Sequence, residues 1–96
     1  DAVRAMIRRT SLDGYHGCIE ALLSVDFGAE LSSIHMPALF VSGALDAIGG
    51  PPNVMQEMAQ IAQDGQHISL PDAGHICNIA NPTAYDNALL SFFESL

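Results

Sequence analysis

Two residues carry most of the chemistry this sequence could perform: Asp46, in Gly43-Ala44-Leu45-Asp46, and His75, in Ala73-Gly74-His75. They stand 29 positions apart, each after a short apolar run and each near a glycine that permits tight backbone approach. A carboxylate that holds an imidazole in one tautomer makes that imidazole a base for a hydroxyl nucleophile, the chemistry of acyl transfer and hydrolysis. The nucleophile has to come from elsewhere. None of the eight serines lies in a Gly-x-Ser-x-Gly setting, and Ser42 lacks the flanking glycine that a strained nucleophile turn needs.

Rival assignments are weaker. Asp46 also reads as a turn residue and His75 as a loop histidine, and only their common setting lifts them above that. Asp72 is a second acid, but three positions from His75 in the same short loop it is badly placed to reach the far side of the ring. His16-x-Cys18 and His75-x-Cys77 offer four zinc-type ligands. Residues two apart on a helix diverge, however, and Cys18 belongs to an apolar stripe, so no metal site is expected. Met55 and Met58 sit at core spacing and call for no cofactor. Tyr15, Ile48 and Ile76 are candidates for an apolar substrate pocket, with plain packing as the equal alternative.

The elements that must position this pair alternate between helix and strand. Arg4 to Arg9 reads as a basic patch, Ser11 as the N-cap of a helix with Cys18, Ala21, Leu22 and Val25 on one face, and Gly28 as its stop. Ala38-Leu39-Phe40-Val41 is a continuous apolar run, the pattern of a parallel strand buried on both faces. Gly49-Gly50-Pro51-Pro52 breaks regular structure before a helix over about 52–63, with Met55, Met58, Ala59 and Ala62 inward and Gly65 as its stop. His67 to Leu70 is a second strand, with Ile68 and Leu70 on one side. Asp72 to His75 is a loop. Asn81 then caps a final helix with Pro82 in its first turn and Tyr85, Ala88, Leu89, Phe92, Phe93 and Leu96 as its stripe.

This order implies an α/β fold with right-handed crossovers and a parallel sheet. Ligands of such sheets bind beyond the carboxyl ends of the strands, so Asp46 and His75 are expected at one edge. Two doubly buried strands do not make a stable sheet alone and need neighbours from another segment or chain.

Composition narrows the partners. Three arginines and no lysine against eleven acids leave a net charge of −8, which argues against nucleic acid. No window approaches the roughly 18 uninterrupted apolar residues of a membrane span, and no membrane association is expected. Two cysteines, Cys18 and Cys77, are too few for a disulfide scaffold and read as thiols of a reducing compartment, the cytoplasm.

The stretch from Ile34 to Asp46, Gly50-Pro51-Pro52 with its helix, and Leu70 to His75 followed by Asn81-Pro82 and Phe92-Phe93 together resemble the C-terminal portion of an α/β-hydrolase. The resemblance covers nearly the whole chain. It implies the last two parallel strands with flanking helices and the end of the cap: residues 1–33 as the end of the cap and a connecting helix, residues 34–96 as core. It also implies triad roles for Asp46 and His75, with the nucleophile and oxyanion hole in a missing N-terminal part of the same hydrolase, so that this segment alone is inactive. Gly14 to Ala21 and His75-Ile76-Cys77-Asn78-Ile79 are similar to the 3-oxoadipate enol-lactonases, which implies cofactor-free cleavage of a small lactone or ester in aromatic catabolism. Ala80 departs from them, because that family usually has glutamate there. An aspartate nucleophile as in dehalogenases, carbon-carbon bond hydrolysis, and a non-catalytic binding or receptor module are the alternatives on the same scaffold.

Overall fold

The computed structural model describes residues 1–96. Helices α1 (Ala2–Arg9) and α2 (Leu12–Ser24) and a 3₁₀ turn (Ala29–Ser33) lead into strand β1 (Ala38–Gly43). Helix α3 (Pro52–Ile61), strand β2 (Gly65–Leu70) and helices α4 (Cys77–Ala80) and α5 (Pro82–Glu94) complete the chain. No helix is long and apolar enough to cross a membrane.

β1 and β2 pair in parallel, with Ala38 opposite Gly65 and Gly43 opposite Leu70. α3 connects them as a crossover and packs on both. Side chains alternate, so Val41, Ile68 and Leu70 share one face, and that face meets α5. There Leu70, Ala73, Cys77 and Ala88 form the core cluster, with Val41, Ala84 and Tyr85 against it. The Asn81 side chain caps α5 and ties it to the loop after β2: its Oδ1 accepts from the Ala84 amide at 3.2 Å, and its Nδ2 donates to the Pro71 carbonyl at 3.1 Å.

Several local expectations are corrected. The segment around Arg4 to Arg9 is a helix, because Asp1 accepts hydrogen bonds from the Val3 and Arg4 amides and caps it. α2 starts at its Ser11 cap but ends at Val25; Gly28 instead takes a right-handed helical conformation before the 3₁₀ turn. α3 ends at Ile61, and Gly65 opens β2 rather than stopping a helix. A Cβ at Gly65 would run into the Ala59 backbone, so the glycine is there for close strand–helix approach. Cys77–Ala80, between the loop that ends at His75 and the last helix, forms a single helical turn that the sequence pattern did not assign.

The expected burial of both strand faces is not met within this chain. β1 is half-buried until Ser42 and Gly43, and in β2 only Leu70 is buried. The physical reason is the small sheet: both outer edges are unpaired, and α5 covers β2 mainly near Leu70. Nor does any residue of α1 or α2 become buried; Cys18 is exposed and Leu22 and Leu23 face outward. In all, 9 of 96 residues are buried, and the radius of gyration is 15.6 Å, where a compact domain of this length has about 12.5 Å. The apolar faces of the strands and of α1 and α2 are thus largely uncovered within this chain.

Candidate functional site

The loops that follow β1 and β2 meet at the carboxyl edge of the sheet, as parallel topology requires. Two backbone bonds zip them together: the Ala44 amide donates to the Leu70 carbonyl at 2.8 Å and the Leu45 amide to the Ala73 carbonyl at 2.9 Å. Asp46 follows directly, and its amide closes a turn onto the Gly43 carbonyl at 3.0 Å.

Asp46 and His75 are brought together. The His75 Nδ1 lies 2.9 Å from Asp46 Oδ2. A carboxylate is an acceptor only, so Nδ1 carries the proton and donates it to Asp46, leaving Nε2 as the nitrogen free to accept one. The acid side is sheltered and the base side open: the Asp46 side chain is 5% exposed and that of His75 69%. The remaining capacity of the carboxylate is filled from the backbone. Oδ1 accepts from the Ile48 amide at 3.1 Å and the Gly49 amide at 3.0 Å, and Oδ2 from the Gly50 amide at 2.9 Å. The loop read only as a break in regular structure is thus a cradle for the acid. An aspartate followed within four residues by two glycines was the available signal, since short turns of this kind turn their amides inward.

The His75 hydrogen bond, and after it the Ile48 amide and those of Gly49 and Gly50, hold the Asp46 carboxyl down to about 2, against the opposing pull of desolvation. The lowered value means that the fold favours the charged carboxylate. Its contribution to stability is therefore complete above the ordinary carboxyl range and is lost as pH falls from about 4 towards 2. Carboxyl-carbon NMR should place the Asp46 midpoint near 2, with the acid limb of the urea midpoint flattened in Asp46→Asn. A midpoint near 4 would contradict the cradle.

Ile48 is fully exposed beside the dyad and lines, with Leu45, Ala47 and His75, a hollow of about 520 Å³. Tyr15 on α2 and Ile76 before α4 are also exposed, but neither lines that hollow. Asp72 sits in a left-handed turn (φ 54°) and makes no hydrogen bond to His75. Ser42 is buried on the strand itself, with its Oγ 2.9 Å from His67 Nε2, a pair that sequence reading missed because its partners are 25 residues apart. Cys77 is buried in the core, and nowhere do three His, Cys, Asp or Glu side chains converge.

A parallel β-α-β unit that carries an acid and a histidine on its two carboxyl-end loops, closed by a capped amphipathic helix, defines the class: the chain corresponds to the C-terminal portion of the α/β-hydrolase fold. BpoC of Mycobacterium tuberculosis, a protein named for a putative non-heme bromoperoxidase activity, is 34% identical over 64 residues, 67% of this chain and 24% of that protein. Its crystal structure superposes with a TM-score of 0.63 over 68% of this chain. 3-Oxoadipate enol-lactonase 2 of Acinetobacter baylyi is 31% identical over 81 residues, 82% of this chain and 29% of that enzyme. A thermophilic esterase from Thermogutta terrifontis matches with a TM-score of 0.69 and 30% identity over 73% of this chain and 25% of its own. The chain thus spans about a quarter of the length of these relatives. No family model matches it.

Proposed function

We propose that this chain contributes the acid and the histidine to a serine-type hydrolase of small esters and lactones, with 3-oxoadipate enol-lactone as substrate. The carrying observation is the 2.9 Å bond from His75 to Asp46, on a ring whose other side is open. An upstream serine attacks the substrate carbonyl and gives its proton to His75 Nε2. The tetrahedral intermediate collapses, the carbon–oxygen bond to the leaving enol breaks, and that oxygen takes the proton from Nε2. Water then repeats the sequence on the acyl-enzyme. Asp46 stays ionised throughout and stabilises the imidazolium.

The nucleophile and oxyanion hole belong, on this reading, to an N-terminal part of the same hydrolase. Its support is the unpaired sheet edges and the exposed Leu22, Leu23 and Phe27. Residues 1–33 then belong to the end of the cap. The likeness to enol-lactonase 2, together with Gly14-Tyr15 and the His75-Ile76-Cys77 segment, supports the lactone. The two free cysteines support a reducing, cytoplasmic setting.

The complete protein should turn over 3-oxoadipate enol-lactone with kcat/KM at least about a hundredfold above that for p-nitrophenyl acetate, and residues 1–96 alone should turn over neither. Preference for the acetate ester would remove the lactone assignment. Turnover by residues 1–96 alone, abolished by His75→Ala, would remove the upstream nucleophile.

A further inference from the structure

His75 is held by Asp46 on one side, and its ring rests on Gly49 on another. A Cβ added at Gly49 would overlap three atoms of that imidazole, Cε1, Nδ1 and Nε2, the last at 2.8 Å. Conformation gives no reason for a glycine there, since no glycine in the chain has a positive φ. Burial gives none either, because Gly49 is exposed. What remains is the space that the ring occupies. The neighbouring glycines do not share this constraint. A Cβ at Gly74, directly before His75, meets nothing within 4 Å, and one at Gly50 comes no nearer than 3.4 Å to the flexible end of Met55.

We infer that Gly49 is a positioning residue for the dyad: its missing side chain seats the His75 ring in the plane that lets Nδ1 reach Asp46, while its amide holds Oδ1 of the same carboxylate at 3.0 Å. The inference rests on the proposed catalytic role of the pair. His75 is largely exposed, so a ring displaced by a methyl group can swing into solvent without disturbing the core. A substitution at Gly49 should therefore cost rate rather than stability, which a merely structural glycine would not do.

The test uses the complete hydrolase with p-nitrophenyl acetate. Gly49→Ala should lower kcat about a hundredfold, with KM within about twofold and the melting temperature within about 2 °C of the parent. The downfield proton on His75 Nδ1 should weaken or vanish in the NMR spectrum. In an Asp46→Asn background Gly49→Ala should add little further loss, because both act through the same imidazole. Gly17→Ala, within exposed α2 and remote from the dyad, is the control: it should leave kcat, KM and the Nδ1 proton unchanged, with a melting temperature no lower than the parent's, since alanine favours a helix interior. An unaltered kcat, an unaltered Nδ1 proton, or a Gly49→Ala protein that fails to fold would each overturn the inference. Full activity in His75→Ala would instead overturn the proposed function, and the Nδ1 proton alone would then decide whether Gly49 seats the ring.

Discussion

Replacing His75 by alanine in the complete hydrolase should lower kcat by at least about a hundred-thousandfold, and Asp46→Asn should lower it by about ten-thousandfold. The reason for the large effect at Asp46 lies in its partners. An asparagine at 46 can still accept from the Ile48 and Gly49 amides through Oδ1. Its amide nitrogen would then face both the Gly50 amide and His75 Nδ1, three donors where one acceptor now stands. The conflict with His75 is relieved if the imidazole changes tautomer, so that Nδ1 accepts and Nε2 carries the proton, while the Gly50 amide loses its acceptor. Nε2 can no longer act as a base. The two substitutions should therefore not add: once His75 is gone, Asp46→Asn should cost less than about threefold more. Steady-state kinetics on the two single variants and the double variant read this directly, and additive losses would show that Asp46 acts on something other than His75.

The elements legible in the sequence were those whose signals are local. Asn81-Pro82 and the stripe from Tyr85 to Phe92 mark α5 because cap, first turn and apolar face all lie within one helix. The β1 run and Pro37 mark a strand in the same way. The shared edge of Asp46 and His75 followed from one topological rule, that parallel strands end together. Signals that depend on contact across the chain were hidden. Gly65 pattern-matches a helix stop, and only the Ala59 backbone against it explains why it opens a strand instead. The helix over Ala2–Arg9 was masked by the arginines, although Val3, Met6 and Ile7 already have helical spacing. Strand burial was overstated because an apolar run reports what the complete fold covers, not what 96 residues cover.

Gly43→Ala should be among the most damaging substitutions outside the dyad, costing about 2–4 kcal/mol of stability and about a hundredfold in kcat. The glycine ends β1 at the point where it meets the histidine loop. A Cβ there would collide with the carbonyl oxygens of Ala73 and Gly74, and with the Ala73 carbonyl carbon. Unlike the imidazole over Gly49, these are backbone atoms that cannot swing aside. The two loops would have to part, and the bond nearest the collision, from the Leu45 amide to the Ala73 carbonyl at 2.9 Å, is the one that sets Asp46 against His75. Loss of stability and loss of rate should therefore come together. Leu70→Ala supplies the comparison. Leu70 is 2% exposed in the core cluster, and its truncation should cost about 2–5 kcal/mol, but it leaves the backbone bonds between the loops in place. At a temperature where both variants are folded, Gly43→Ala should be slow and Leu70→Ala close to the parent in kcat. Equal rates at matched stability would mean that the loops are positioned by the core rather than by the contact at Gly43.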